Sequence, residues 1–471
     1  MGCEITRMPT NYSGQRVLIL GAGVTGNAIA KSLSKRGAGI SFLDQNQNVM
    51  SQFPILSEAE VKISEWDYIV TSPGWNPEHR IIKIAIEAGK EILNEIDIAW
   101  DLHQEIYPSQ KWLALTGTNG KTTTVEMAAS MIREEGLSAI ACGNVGETVI
   151  SCVDSSERYD YLVIELSSFQ LFWSKKAQFV SSAILNIADD HTDWHGTFEN
   201  YANSKISILD RSTTAILNSA DPVIVSKTAH WQGRKVFFTL DTPRPGEIGV
   251  VEDLLVDRAF VADPQEAVAL AQLTDVTPTV PHNVSNALAA AGLARSVGVS
   301  HEAITRALQN FKPGRHRIEL VTHKDGISFV DDSKATNPHA AMASLMSHLS
   351  VIWIAGGLAK GAKMEELVLR CKGRIKAAVL IGSDRALIAD ALHANAPEVQ
   401  IVEIDPPTAY RKDDASNLFM ENIVKVAKEL ATDGDVVLLA PACASMDQFV
   451  SYSDRGDRFA LAVKKVVLNE Q

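Results

Sequence analysis

Between the apolar run Trp112-Leu113-Ala114-Leu115-Thr116 and a helical pattern stands Gly117-Thr118-Asn119-Gly120-Lys121-Thr122-Thr123. A lysine and a hydroxyl behind glycines at a strand-to-helix junction form a phosphate loop. Backbone amides cradle phosphates, Lys121 reaches the terminal groups, and Thr122 offers its hydroxyl to Mg²⁺. This feature commits the chain to a strand, loop and helix unit of an α/β sheet. The general pattern has glycine six positions before the lysine, where this chain has Leu115, so the match is to the narrower GTNGK[ST] form.

A second glycine-rich turn, Gly21-Ala22-Gly23-Val24-Thr25-Gly26, follows the strand-like Val17-Leu18-Ile19-Leu20 and opens a helical stretch to about Arg36. Asp44 closes the next strand, Ile40-Ser41-Phe42-Leu43, which completes the spacing of a dinucleotide fingerprint. Glycines let the backbone approach a pyrophosphate, and the helix amides attract its charge. Any diphosphate meets that need, and a turn built only for tight strand-helix packing is spelled the same way. A third strand, Tyr68 to Thr71, leads into Ser72-Pro73-Gly74, which adds hydroxyl and amide donors at the same edge.

Strand-like runs and helical patterns alternate nearly throughout, which predicts an α/β fold of mostly parallel sheets with helices on both faces. At roughly 150 residues per domain, 471 residues suggest three domains. The pattern pauses at Ile106-Tyr107-Pro108-Ser109 and again at Lys312-Pro313-Gly314. Three domains are therefore expected: a Rossmann-like one over 1–108, a central phosphate-loop one over 109–313, and a C-terminal α/β one over 314–471. The central domain should hold strands at Tyr161–Leu166 and Ser182–Ile187 and end on helices Asn283–Val297 and His301–Asn310. The last domain should hold strands at Val351–Ala355, Ala377–Ile381, Val399–Glu403 and Val436–Leu439. Residues 240–281, rich in Pro, Gly and Asp, read as a short-stranded, loop-rich excursion without identifiable chemistry.

Lys and Arg number 44 against 57 Asp and Glu, and 44 − 57 gives −13, which argues against nucleic acid as a partner. Cys3, Cys142, Cys152, Cys371 and Cys443 are scattered, odd in number and without a Cys-x-x-Cys pair, as suits plain thiols in a reducing cytoplasm. No apolar run approaches the ~18 residues of a membrane span, and Met1 to Asn11 lacks the apolar core of a signal peptide. A cytoplasmic protein without membrane insertion, acting as a monomer, is expected. Met1-Gly2-Cys3-Glu4-Ile5-Thr6 fits a myristoylation pattern that fixes too few positions to carry weight.

Glu165 ends a strand within Glu165-Leu166-Ser167-Ser168-Phe169-Gln170, which puts a carboxylate at the carboxyl edge of a parallel sheet where Mg²⁺ wants a ligand. Asp190-His191, after the next strand, should open onto the same edge, with room for a second metal between them. Taken singly, His191 reads as an ordinary surface or core histidine; its place beside a phosphate loop reverses that. Lys205, alone, reads as a solvated helix lysine.

In order along the chain, these motifs together with Gly143-Asn144, Lys205, His282-Asn283-Val284-Ser285-Asn286, His316-Arg317, Asp332-Ser333-Lys334-Ala335-Thr336-Asn337, Gly356 to Gly361 and Pro441 to Phe449 resemble the Mur ligases, ATP-dependent amide-forming enzymes of peptidoglycan synthesis. The resemblance covers nearly the whole chain. It implies that the first domain holds the UDP part of a substrate through Gly21, Gly23, Thr25, Gly26, Asp44 and Ser72, with no redox cofactor. It gives ATP phosphates and Mg²⁺ to Gly117, Thr118, Asn119, Gly120, Lys121, Thr122 and Thr123, metal to Thr122, Glu165 and His191, and the neighbourhood of the substrate to Asn144. Lys205 matches a carbamylated lysine of the family; a carboxylate there serves a cation where an ammonium would repel it.

The resemblance further places Asn283 and Asn286 near adenine, and Arg317, Asp332 and Lys334 on the nucleotide from the third domain, with ATP between domains. It implies UDP-N-acetylmuramoyl-L-alanine as acceptor and D-glutamate as the incoming amino acid, the latter held by Thr336, Lys360, Ser445 and the main chain near Tyr452. A cation and hydroxyls suit an amino acid with two carboxylates. The chain departs from relatives at Leu358-Ala359, where a small polar residue and glycine are common, and at Tyr452, where a close relative has phenylalanine, a change of small consequence if only the backbone is used. The implied chemistry is transfer of the ATP γ-phosphoryl group to the acceptor carboxylate, supported by Lys121 and two Mg²⁺ ions, then attack of the amine on the acyl phosphate. Rival readings are a sibling ligase or folylpolyglutamate synthase with another amino acid, an NAD-dependent oxidoreductase, which leaves Gly117 to Thr122 idle, and a non-catalytic nucleotide-gated scaffold.

Overall fold

A computed structural model describes residues 12–46, 51–263, 265–405 and 413–469. Cys3 and the Met1 to Asn11 stretch lie outside the described residues. The chain forms two compact units, one running to Thr279 and including Asn283–Phe311, the other comprising Val280–His282 and the residues from Lys312 on.

The first unit contains two sheets. The N-terminal one is parallel throughout, in the order Ile55–Leu56, Gly39–Leu43, Arg16–Leu20, Tyr68–Thr71, Ile92–Asn94. Its strands are covered on both faces, so they read as continuous apolar runs. Helix Val24–Ser34 buries Ile29, Ala30 and Leu33 against it, the four-residue spacing of one helical stripe. Strand order reverses between Arg16–Leu20 and Tyr68–Thr71, and the turns that follow these two strands therefore flank the crevice where such sheets bind ligands.

The second sheet has nine strands: Val268–Gln272, Leu254–Asp257, Glu247–Val251, Arg234–Phe238, Ser212–Asn218, Phe179–Ile184, Lys111–Thr116, Tyr161–Glu165, Ala139–Gly143. Residues 240–281 are short-stranded and loop-rich as expected, and their strands belong to the sheet. Three strands there extend the sheet, the last two antiparallel, and they bury Ile248, Leu255 and Leu270. The Pro and Gly turns mark the corners of this edge. The strand expected over 182–187 ends at Ile184, because Leu185, Asn186 and Ile187 leave the sheet to serve the phosphate loop and its neighbours. The two sheets are tied directly: Arg36 holds Asp154 through two nitrogens at 3.1 and 2.6 Å, and buried Asp97 accepts from Ser174 Oγ and the Lys175 and Lys176 amides.

The second unit is one six-stranded sheet in the order Glu319–Lys324, Ile327–Asp331, Val436–Leu439, Val351–Gly356, Ile375–Ile381, Gln400–Glu403, antiparallel only at the first pair. Its three central strands end side by side at Asp331, Leu439 and Gly356, so the loops after them share one edge. Cys142, Cys152, Cys371 and Cys443 are buried free thiols. Among the described residues, no helix is long and apolar enough to cross a membrane.

Candidate active site

The phosphate loop is shaped by its sequence neighbours and by one residue from the next strand's end. Gly120 adopts φ +82° as the cap of helix Lys121–Glu134, and a Cβ there would overlap the Asn286 amide oxygen, so glycine is required twice over. Asn186 brackets the loop: its Oδ1 accepts the Asn119 N–H at 2.8 Å and its Nδ2 donates to the Asn119 carbonyl at 3.1 Å, while its own carbonyl accepts from the Thr118 amide at 2.9 Å. Lys121 Nζ donates to the Gly117 and Thr118 carbonyls at 2.9 and 3.0 Å, folded over the concavity that an anion would fill. Thr122 is half-buried at the helix start, and Thr123 is buried. Of the two expected adenine-side residues, Asn286 reaches the phosphate loop, whereas buried Asn283 donates to the Pro278 carbonyl at 3.0 Å.

Glu165 ends the strand beside that loop, pairing in register with Leu115 on one side and Gly143 on the other. Gly143, at φ +108°, lets its strand turn over the Glu165 carbonyl, and Asn144 Nδ2 then donates to Glu165 Oε1 at 2.9 Å. Glu165 Oε2 is buried with no hydrogen-bond partner among the described residues. A carboxylate oxygen in that condition is costly unless a cation or donor meets it. The unsatisfied oxygen at a sheet edge beside a phosphate loop thus fits a Mg²⁺ ligand on the grounds of its own chemistry.

Lys205 overturns its solvated reading. It is 2% exposed, its Nζ donates to the Gly117 carbonyl at 2.8 Å, and it lies 4.7 Å from the centre of the Tyr201 ring. The helix Phe198–Ile206 buries Tyr201, Ala202, Ser204 and Lys205 on its inner side, which turns this lysine into the protein. Burial, with Lys121 nearby, holds its pKa well below the usual lysine range, favouring the neutral amine.

His191 caps a one-turn helix in the left-handed conformation, φ 52°, with its ring half-exposed beside Asp190 and 4.8 Å from Phe169. Phe169 also stacks on His195, which donates to or accepts from Ser168 Oγ at 3.0 Å and is pushed down to about 4 by burial. Tyr201 closes this aromatic group, and its hydroxyl lies 2.9 Å from Thr118 Oγ1 in the phosphate loop.

In the N-terminal sheet, Gly21 sits at φ +96°, with Ser72 Oγ and Trp75 Nε1 each 2.9 Å from where a Cβ would stand. Gly26 packs against the Gly21 carbonyl, while Gly23 is open to solvent and Thr25 half-buried. Asp44 Oδ2 accepts from the Ala22 amide at 2.7 Å and its Oδ1 from the Asn46 amide at 2.8 Å, so this carboxylate also fixes the turn.

In the second unit, buried Asp332 has its carboxyl pushed up to about 6 by burial. Arg317 is half-buried, between His316 and Ile318, both at positive φ. Lys334 Nζ lies 3.8 Å from the centre of the Tyr452 ring, and the Tyr452 carbonyl accepts from Ser333 Oγ at 2.8 Å. The Tyr452 ring thus carries a cation–π contact that a phenylalanine would keep, while the phenol would be lost. Thr336 is half-buried, Lys360 exposed at φ 51°, and Ser445 buried. The Leu358-Ala359 departure is accommodated by a two-way backbone bridge from Leu358 to Ala444, 2.9 Å in each direction, and by Asp384 accepting from the Ala359 amide at 2.8 Å.

Residues 115–294 match the family model of the Mur ligase middle domain, and residues 316–443 that of the Mur ligase glutamate ligase domain. The chain is 46% identical to the UDP-N-acetylmuramoylalanine--D-glutamate ligase of Thermobifida fusca, over 96% of this chain and 98% of that one, and 45% identical to its namesake from Streptomyces coelicolor, over 98% and 100%. It belongs to the Mur ligase family. Among solved structures, the MurF ligase of Thermotoga maritima in complex with ADP shares its fold at TM-score 0.58 and 17% identity, covering 97% of this chain and 96% of that one. Mur ligases are ATP-dependent, in keeping with a loop of this shape.

As a Mur ligase the chain uses residues that its motifs alone do not single out. Asn186 and Tyr201, which hold the phosphate loop, are an asparagine after a strand and a tyrosine in a helix, with no spacing to mark them. Arg455 is less than 2% exposed and donates to Ser333 Oγ at 2.9 Å, the Ser333 carbonyl at 3.0 Å, and the Cys443 carbonyl at 3.3 Å. It thereby joins the loops after two neighbouring strand ends. Its signal was present: it falls on the same helical stripe as Phe459, Ala462 and Val463, where a charge is out of place.

Proposed function

We propose that this Mur ligase joins D-glutamate to UDP-N-acetylmuramoyl-L-alanine at the expense of ATP, in the cytoplasm and as a monomer, with lobes over 1–108, 109–313 and 314–471. The observation that carries the reading is the convergence at one sheet edge of Lys121, the buried unpartnered oxygen of Glu165 and buried Lys205. The curated relatives' names, at 45–46% identity over nearly the whole chain, support the choice of amino acid.

The acceptor's diphosphate rests on the amides of the Gly21 to Gly26 turn, with Ser72 and Asp44 fixing that turn. ATP phosphates lie in the Gly117 to Thr123 loop, where Lys121 leaves its carbonyl partners for the terminal phosphate. Mg²⁺ bound by Thr122, Glu165 and His191 would offset the charge that spreads over the transferring group, with a second ion in reach of the same ligands. The neutral Lys205 amine adds to carbon dioxide, forming a carbamate and releasing a proton, which supplies a further anionic ligand. Asn144 holds Glu165 in its orientation. The acceptor carboxylate oxygen attacks the γ-phosphorus in line as ADP leaves. The D-glutamate amine, its carboxylates met by Lys360, Thr336 and Ser445, attacks the resulting carbonyl, and phosphate departs as the amide forms. Arg317, Asp332, Lys334, Asn283 and Asn286 serve the nucleotide.

Phosphate release from ATP, Mg²⁺ and UDP-N-acetylmuramoyl-L-alanine should require D-glutamate, with L-glutamate, lysine and diaminopimelate each at least about 100-fold poorer, since lysine lacks the second carboxylate and the other two cannot set both carboxylates on the same contacts while aiming the amine at the acyl carbon. Preference for one of the other three would overturn the substrate while sparing the ligase.

A further inference from the structure

Trp194 joins two parts of the first unit that are far apart in sequence. Its indole N–H donates to the Gly74 carbonyl at 3.1 Å, across 120 residues. Gly74 belongs to the turn that leans on the glycine-rich loop: Ser72 Oγ donates to the Gly21 carbonyl at 3.3 Å, the Trp75 amide donates to the Ser72 carbonyl at 3.2 Å, and both side chains crowd Gly21. A hold on Gly74 is therefore a hold on the diphosphate turn.

The other end of this strut is equally fixed. The Trp194 amide donates to the His191 carbonyl at 3.1 Å, and its ring packs at 4.9 Å from Phe169, 5.1 Å from Phe172 and 4.6 Å from His195. Phe169 in turn packs on His191. The indole is thus anchored in the aromatic group around the metal-bearing loop, and its one donor reaches out to the substrate turn.

We propose that Trp194 is a positioning residue that sets the distance between the turn holding the acceptor's diphosphate and the loop where its carboxyl reacts. The inference rests on the ligase reading above, because only an acceptor that spans both places feels that distance. A ligand held at two ends gains its second contact at an effective concentration fixed by the geometry between them. Loosening the strut lowers that gain, while a ligand that uses one end is indifferent.

Trp194→Phe keeps the ring packing and deletes the N–H. Calorimetry on the full chain should show the Kd for UDP-N-acetylmuramoyl-L-alanine rising roughly five- to tenfold, the span expected for one lost hydrogen bond, with the Kd for UDP alone within about twofold and the melting temperature within about 2 °C. Equal weakening of both ligands would reduce Trp194 to a support for the turn, and no weakening of either would remove its role; each outcome overturns the proposal. The ligase reading fails separately, if the wild-type protein shows no D-glutamate-dependent phosphate release, and the ratio of the two binding constants remains measurable in that event.

Discussion

Lys205→Ala should lower kcat by about 10³-fold or more, the scale on which a preorganised charge at a reacting phosphate acts, and added bicarbonate should not restore it. The reasoning starts from burial. An ammonium at 2% exposure, with Lys121 nearby, is in the wrong charge state to sit beside a metal cation. Its depressed pKa makes the neutral amine available, and the neutral amine is the form that attacks carbon dioxide. The resulting carboxylate extends from Nζ, the atom 2.8 Å from the Gly117 carbonyl, and reverses the charge of the side chain, which a cation can use. Alanine offers no nitrogen for the addition, so bicarbonate has nothing to act on. Steady-state turnover with and without bicarbonate is the measurement, and activity near wild type would remove the carbamate from the mechanism.

Arg455→Ala should destabilise the second unit by about 3–5 kcal/mol, because it leaves several buried acceptors without a donor and opens a cavity beneath them. The guanidinium is held at Ser333, Cys443 and Gly356, with no carboxylate in hydrogen-bond contact among the described residues, and burial lowers its pKa only to about 10, so it stays charged. Its role is to lock the loops that carry Lys334, Ser445 and the Gly356 turn to one another. The melting temperature of the second unit's transition should fall by roughly 10 °C. Arg455→Lys should recover little of it, since one ammonium cannot reach all these acceptors. A variant that melts with the wild type would show that the loops hold themselves.

The parts of this site that were legible in the sequence are those in which chemistry coincides with the end of a strand. Gly117 to Thr123, Glu165 and Gly21 to Gly26 each follow an apolar run, and parallel sheets put such positions on one edge, so spacing alone brought Lys121 and Glu165 together. Lys205 could be read from residues only as a surface lysine, because the stripe that buries it includes Ser204 and Tyr201 and does not look apolar; the family resemblance supplied what periodicity could not. Asn186 carries no motif, yet it brackets Asn119 with both ends of its amide. The 240–281 stretch was legible as short-stranded, its strands being four to five residues each, but not as an extension of the central sheet, because pairing between such short strands leaves no mark in the sequence. The contact of Lys334 with the Tyr452 ring has no spacing in the sequence to mark it, since the two residues lie on different elements.

The most direct test of the account follows an oxygen atom. If the acceptor carboxylate attacks the γ-phosphorus and the amine then displaces phosphate, UDP-N-acetylmuramoyl-L-alanine with both carboxylate oxygens replaced by ¹⁸O must pass one of them to the released phosphate and keep the other in the amide. Mass spectrometry of the phosphate formed with D-glutamate should therefore show a single ¹⁸O in every molecule. Unlabelled phosphate would mean that water, and not the carboxylate, received the phosphoryl group, and the ligation mechanism assigned to Lys121, Glu165 and Lys205 would be wrong.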